Sequence, residues 1–511
     1  MPLVSSLCVA GNHRVDTSDL ISSKFTYSHT SIAVENGQAR IEARPMNLQF
    51  NCVKTVPKTG LLIVGLSGNN GSTITGAYFA NKHKLQWETP RGVQSANWYG
   101  SLMQCGTSIL GNSSDGPVSI RFADMLPTLN PDDLVVGGWD ISSFNLYKSM
   151  KRAQVFPIAL QEQLKPYMEP ITPLKAAFLP DFVASNQSQR ADNVLTGDRS
   201  ELVNQLRDQI RTFKTDNALD KVIVLWSANT ERTVDIEDCH LTSSTILDAI
   251  KNNDSRISAS VLYAIASIQE GCAFINGSPQ NTLLPGIVEL AAEYKVYIAG
   301  DDFKTGQTKI KSVLVDFLVG AGIKPRSIVS YNHLGNNDGF NLSAPQQFRS
   351  KELSKSNVID DAVLGNPVLY PNPKEDHPDH TVVIKYQPFV GDSKRAMDEY
   401  ISELMCGGFN TIVLHNTCED SILAAPLMLD LVLFTELLQR ITVKVEDGED
   451  LGFDSLLSLL SFFLKAPCVP DRAPVINTLW RQRLALDNFM RIVAGLPLDT
   501  CLSLEDRIPM E

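Results

Sequence analysis

Apolar and polar positions fall in blocks along the chain. The commonest unit is a short aliphatic run, then a polar loop, then a stretch of helical period. Residues 58–84 (KTGLLIVGLSGNNGSTITGAYFANKHK) give it first, as an apolar strand, a glycine-rich turn and a helix. The strand and loop recur at 132–143 (DDLVVGGWDISS), 221–232 (KVIVLWSANTER), 272–282 (CAFINGSPQNT) and 296–309 (VYIAGDDFKTGQTK), with helical stretches between several of them. One of these, 200–214, has a clear amphipathic period with Ser200 as its expected N-cap. The repeated order predicts an α/β fold with a parallel sheet. In such a sheet the loops after the strands gather on one edge, where ligands bind.

Both flanks differ in texture. Residues 1–57 alternate in short strands and turns, which predicts an arm packing on the core or on a neighbouring subunit. After an apolar helical run at 312–323, residues 330–356 (SYNHLGNNDGFNLSAPQQFRSKELSKS) read as a long polar loop with one helix turn. Lys351 and Lys355 stand four apart there and share a helix face, an unfavourable pairing that an anion between them would relieve. Residues 364–380 read as a proline-rich loop and 381–390 as a strand. Residues 391–408 read as a helix carrying Asp392 and Lys394, and 410–421 as a strand opening into a polar loop with Asp420. The remainder (456–467, 474–496) reads as helical.

The 511 residues, 43% hydrophobic and 20% charged, suit a soluble globular protein of two or more domains. A net charge of −12 argues against nucleic acid or an anionic membrane as partner, and leaves room for a local basic pocket. Nine cysteines, odd in number, widely spaced and without C-x-x-C, predict reduced thiols and a cytoplasmic protein. No signal peptide or membrane segment is expected, since Pro426, Asp430 and Glu436 interrupt the apolar run after Cys418. No metal is expected either: His377 and His380 lie among prolines without a third nearby ligand. The adjacent Asp301 and Asp302 point to opposite faces on a strand, so one is expected in a site and the other in structure.

The first glycine loop is suited to a pyrophosphate at a helix N-terminus. It departs from G-x-G-x-x-G, because Ser67 and Asn70 take the second and third glycine places counted from Gly65. Asp140 ends a strand where it is suited to a ribose. Taken together, GLSGNNGST, GGWDIS, LWSANTER, INGSPQNT, DDFKTGQTK, the whole 330–356 stretch, GDSKRAMDEY, HNTCEDS and FLKAP resemble, in this order, the eukaryotic myo-inositol-1-phosphate synthases. The similarity runs from about residue 15 to 500.

That resemblance implies a Rossmann-like NAD-binding domain with a parallel sheet, plus an α+β catalytic and tetramerisation domain inserted before C-terminal helices. The implied boundaries are 1–57 for the arm, 58–308 for the NAD-binding domain, 309–423 for the catalytic and tetramerisation domain, and 424–511 for helices completing the NAD-binding domain. It implies NAD-dependent isomerisation of D-glucose 6-phosphate to 1D-myo-inositol 3-phosphate, the first step of inositol biosynthesis. The NAD+ is retained and regenerated, a monovalent cation such as ammonium is an allowed activator, and the assembly is a homotetramer.

The implied catalytic residues are Lys351, Lys355, Lys394, Lys465, Asp302, Asp392 and Asp420, with Thr305, Gly306 and Gln307 at the substrate phosphate. The implied cofactor residues are Gly65, Ser67, Gly68, Asn69, Asn70, Gly71, Asp140, Gln187, Arg190, Ala228, Asn229, Thr230, Gly277, Asn336, Asn337 and Asp338. Lys351 and Lys465 are assigned to the C5 oxygen, and Lys355 and Lys394 to the phosphate and developing anions. The family usually has glycine at Ser67, whose hydroxyl is expected to offer the cofactor a hydrogen bond instead, and often serine at Thr305. The alternatives are another NAD-dependent sugar-phosphate dehydrogenase or epimerase, and a non-catalytic NAD-binding homologue.

Overall fold

The computed structural model describes residues 2–502 apart from Asn12 and Asp447. Six parallel strands form the central sheet, in the order Leu174–Lys175, Val135–Asp140, Thr59–Val64, Lys221–Trp226, Ala273–Asn276, Ile298–Ala299. The register aligns their carboxyl ends: Val64 pairs with Trp139 on one side and Trp226 on the other, and Trp226 pairs with Asn276. The loops beginning at Gly65, Asp140, Ser227 and Gly277 therefore share one edge, as the sequence pattern predicts.

Alternation along Thr59–Val64 sends Leu61 and Ile63 into one core and Leu62 and Val64 into the other. The first core includes the helix Asp420–Leu438, and the second the helices Arg199–Asp216, Ala259–Gln269 and Pro285–Tyr294. Asp420–Leu438 is, among the described residues, the one helix long and apolar enough to cross a bilayer; 89% of its apolar window is buried inside the protein. Asp198 rather than Ser200 caps Arg199–Asp216, because Asp198 and Glu201 exchange reciprocal backbone bonds in a capping box.

A second sheet of four strands runs Asp379–Tyr386, Lys324–Leu334, Ser393–Glu403, Phe409–Glu419. The first pair is parallel and the others antiparallel. Residues 393–403 are thus a strand, not the expected helix. Ala396, Asp398, Tyr400 and Ser402 are buried at alternate positions, a period of two that the helix-favouring composition conceals. Nor is 330–356 mainly loop: the strand reaches Leu334, and the helices Asn337–Asn341 and Pro345–Ser356 follow. Lys351 and Lys355 do share that second helix. Asp420 opens a helix rather than a polar loop. Residues 458–463 form a 3-10 turn, and the last regular helix is Leu479–Val493.

The N-terminal region is one long hairpin, Leu20–Glu35 against Gln38–Val53, rather than short strands. Asn36 and Gly37 turn it with φ of 49° and 76°, the left-handed pair that Asn-Gly favours. Its base is completed by Ile441–Val445, so the C-terminal region is not wholly helical. Arg440 clamps this junction. Its guanidinium donates to both oxygens of buried Glu436 and to the carbonyls of Val53 and Pro127. Arg440→Met leaves the Glu436 carboxylate buried and unpaired, and is expected to cost about 3–5 kcal/mol of stability, read from the midpoint of denaturant unfolding. An unchanged midpoint would show that the clamp contributes little.

Candidate active site

The aligned strand ends open on a cavity with about 1510 Å³ of unfilled space, part of it open to solvent. On one side lies the glycine loop. Gly65 has φ +91°, and a Cβ there would sit 2.7 Å from the Ala228 Cα; a Cβ on Gly71 would sit 2.4 Å from the Gly65 carbonyl oxygen. The loop is therefore closed tightly on the helix Asn69–Lys82, whose N-terminus has no side-chain cap and no acid in its first turn. That leaves its positive end free for an anion. The Ser67 hydroxyl donates to the Phe144 carbonyl (3.1 Å), and its amide to Asp140 (2.9 Å). The hydroxyl thus braces the loop instead of facing a ligand, contrary to the expectation above. Asp140 also accepts from the Ser142 amide. Burial pushes its carboxyl above the ordinary range, against the nearby Arg190.

Lysines and acids meet on the other side. Register puts Leu334, Ser393 and Glu419 at one end of the second sheet, so the residues just beyond them converge. Asp302 accepts from Lys351 (2.9 Å), from Lys465 (3.2 Å) and from the Ser354 hydroxyl (2.6 Å). Lys394 pairs with Asp420 at 3.4 Å. Lys355, 2% exposed, donates to two amide oxygens, of Gln307 at 3.3 Å and Asn332 at 3.0 Å. Asp392 accepts from Asn69 (3.2 Å), Asn336 (3.4 Å) and both the amide and hydroxyl of Ser421 (2.8 Å each). It ties the glycine-loop helix to the helix Asp420–Leu438.

Electrostatics follow from lysines and carboxylates meeting in a desolvated site. Burial disfavours charge on Asp302, but Lys351 and Lys465 outweigh it and hold the carboxyl well below its usual range. Burial likewise opposes the Lys351 ammonium, yet Asp302 and then Asp338 keep it charged. Lys465 shares the same carboxylate at a longer distance, and burial takes it down to about 7. Burial, then Lys394 and Lys465, push Lys355 well below the ordinary lysine value.

Residues 59–491 match the family model for myo-inositol-1-phosphate synthase. The chain is 55% identical to inositol-3-phosphate synthase 1-B of Xenopus laevis, covering 96% of this chain and 87% of that one. It is 53% identical to human inositol-3-phosphate synthase 1, covering 96% and 88%. The crystal structure of inositol-3-phosphate synthase from Caenorhabditis elegans superposes with a TM-score of 0.97 at 48% identity, covering 99% of each chain. The chain belongs to the myo-inositol-1-phosphate synthase family.

The family's NAD fits the cavity's first side, with its open helix end and its glycine cradle. Of the residues carried over by resemblance, Gly65, Gly68, Asn69, Asn70, Asp140, Gln187, Arg190, Ala228, Asn229, Thr230, Gly277, Asn336, Asn337 and Asp338 line the cavity. So do Asp302, Thr305, Lys351, Lys394, Asp420 and Lys465. Ser67, Gly71, Gly306, Gln307, Lys355 and Asp392 are not among its lining residues. Asn229, Asn337 and Gln187 are joined through their amides, and Asp338 accepts from the Thr230 amide at 3.0 Å.

Sequence reasoning missed Ser354, Thr308 and Ser278. Ser354 is one turn beyond Lys351 on the same helix, and that spacing was the available signal. Asp301 is the structural member of its pair: it accepts from Asn276 (2.6 Å) and from the Cys468 thiol (3.5 Å). All nine cysteines are free thiols. Among the described residues no cluster of three His, Cys, Asp or Glu is placed to hold a metal. His380 meets Lys311 and His377 meets Asp360.

Two outcomes follow from this geometry. Gly71→Val has no room for its side chain and is expected to weaken NAD binding roughly tenfold or more, by about 1–3 kcal/mol, in a calorimetric titration. Unaltered affinity would remove the loop from the cofactor site. Burial raises Asp301 from the ordinary 3.8 to about 8, so the folded chain keeps a proton that the unfolded chain releases. Stability is therefore lost as pH rises from about 4 through about 8. Asp301→Asn removes that loss, and its melting-temperature advantage over the parent is expected to be larger at about pH 9 than at about pH 5.

Proposed function

We propose that the chain is an inositol-3-phosphate synthase that converts D-glucose 6-phosphate to 1D-myo-inositol 3-phosphate, the entry reaction of inositol and inositol-phospholipid synthesis. The observation that carries this reading is the convergence of Lys351, Lys355, Lys394 and Lys465 beside a dinucleotide loop. A sugar phosphate brings between one and two negative charges, which favour the ammonium form of the lysines that burial holds low. The helix Gly306–Gly320 also presents an uncapped N-terminus without an acid in its first turn, and Thr305 at its cap position lines the cavity.

In this reading Thr305, Gly306 and Gln307 hold the phosphate with Lys355 and Lys394. When bound, NAD+ supplies reversible hydride acceptance at C5, so no net redox change results. Lys351 and Lys465, both oriented by Asp302, donate to the C5 oxygen as it becomes a carbonyl and then an enolate. Acidity at C6 follows from that carbonyl. Lys465, poised near neutrality, takes the C6 proton and, as an ammonium, gives it to the C1 oxygen once the aldol bond has formed. The C6–C1 bond closes by aldol addition, and Lys355 and Lys394 stabilise the oxyanion formed at C1. Asp420 keeps Lys394 in place, and Asp392 fixes the helix that carries Asp420.

The segment 58–308 serves as the cofactor domain and 309–423 as the catalytic and tetramer-forming domain. The arm 1–57 and the segment 424–511 pack on the former. A homotetramer would cover the outer face of the four-stranded sheet, where Tyr331, Met397, Val413 and Phe409 are exposed. A cytoplasmic location and activation by a monovalent cation such as ammonium belong to the same proposal.

Incubation with D-glucose 6-phosphate and NAD+ is expected to give inositol phosphate, read as inorganic phosphate released after periodate oxidation, without NADH accumulation. Net NADH would favour a sugar-phosphate dehydrogenase instead. Lys351→Ala is expected to lower turnover by at least roughly 1000-fold while leaving NAD affinity nearly unchanged. Retained turnover would remove Lys351 from its role.

A further inference from the structure

Lys355 differs from the other three site lysines in having no carboxylate within ion-pair distance among the described residues. Its nitrogen instead meets two neutral oxygens, on Gln307 and Asn332. The charged groups that shift it most are Lys394, Lys465 and Lys351 from the site and Lys311 from the helix Gly306–Gly320, all of one sign. Control of Lys355 therefore falls to the direction in which two amides point.

A primary amide has the same shape either way round, but one end accepts and the other donates. Asn332 is set by backbone, its amide nitrogen donating to the carbonyls of Val383 (3.2 Å) and Ser330 (3.4 Å). Gln307 is set by a side chain. Its amide nitrogen donates to the Asp398 carboxylate at 2.6 Å, and a carboxylate only accepts. The Gln307 oxygen is thereby left for Lys355. A reversed amide would bring donors against a donor.

Asp398 is 1% exposed, on the inner face of Ser393–Glu403 and four residues after Lys394; its second oxygen accepts from the Tyr400 hydroxyl at 3.3 Å. Lys311, one turn after Gln307, attracts the same carboxylate and is itself bonded to His380 at 2.7 Å. We propose that Asp398 is a positioning residue for Lys355, acting through Gln307 by fixing which end of its amide faces the lysine. With two oxygens held in place, two directions on the Lys355 nitrogen are occupied and the remaining one is fixed in space. This inference rests on the synthase reading, in which Lys355 serves the phosphate and the developing anion.

The test compares Asp398→Asn, which still offers Gln307 an oxygen, with Asp398→Leu, which does not. The Asn variant is expected to keep kcat within about threefold of the parent, and the Leu variant to lose roughly 10–100-fold, with NAD affinity unchanged in both. In a Gln307→Leu background, adding Asp398→Leu is expected to lower kcat by less than about threefold, because the connection is already cut. Equal losses in both backgrounds, or an Asn variant as impaired as the Leu variant, would overturn the proposal. If the unmodified protein makes no inositol phosphate, the synthase reading fails on its own. Crystal structures of the two variants then decide the positioning role. The Lys355–Gln307 contact is expected in the Asn variant and absent from the Leu variant, and its presence in both would refute the role.

Discussion

Four lysines gathered in a dry place are the constraint on which this molecule is built. Among the described residues the carboxylates within ion-pair distance of them are Asp302, beside Lys351 and Lys465, and Asp420, beside Lys394. Burying an ammonium costs several kcal/mol unless it is paired or loses its proton. The structure answers in three ways at once. One carboxylate is shared between Lys351 and Lys465, which keeps the first charged and leaves the second near neutrality. One lysine, Lys355, is surrounded by amide oxygens that accept from an amine or an ammonium alike. The remaining imbalance is suited to an anion arriving from solution.

Holding such a cluster requires a frame that does not relax. Two sheets supply it, each presenting the ends of its strands to the same cavity. Between them runs a short ladder: the amides of Lys465 and Ala466 donate to the carbonyls of Asp302 and Asp301, and that of Cys468 to Gly300. Lys304, fully buried, adds a bond from its ammonium to the Asn477 carbonyl. The helix Asp420–Leu438 spends its apolar surface on the parallel sheet and aims its first turn at the site. Packing and chemistry are joined through Asp392, which caps that turn and contacts the glycine-loop helix.

Much of this was legible in the sequence, and the reasons are local. Aliphatic runs followed by Gly, Asn and Asp gave the parallel sheet and its ligand edge, because strand period and turn chemistry are short-range properties. Asp301 and Asp302 do meet different partners, though not through strand alternation: both lie past the end of the strand Ile298–Ala299, and Asp302 has φ 61°. What stayed hidden depends on distant partners or on unusual burial. Residues 393–403 carry Lys, Arg, Asp and Glu in a helix-favouring mixture, and only the sheet on either side explains why Asp398 and Ser402 face inward. Ser67 looked like a ligand donor because the Phe144 carbonyl that takes its hydroxyl is far away in sequence. Lys304 and Lys311 carry no local signal of burial, yet both lie in the interior. The family's lysines were found through resemblance; nothing in their spacing shows that Lys465 would share an acid with Lys351.

That sharing has a bearing on how the protein is made. Three of the four lysines lie between 351 and 394, while Lys465 reaches Asp302 across 163 positions of sequence. Chains are synthesised from the N-terminus, and domains tend to fold as they emerge. A partly synthesised chain can complete the glycine loop, and most of the sheet behind it, before Lys465 has left the ribosome. The oxidising half of the cavity is thus assembled first and the proton-handling half last. A truncated product lacks the lysine that shares Asp302 with Lys351, so an unfinished chain does not yet hold the complete cluster.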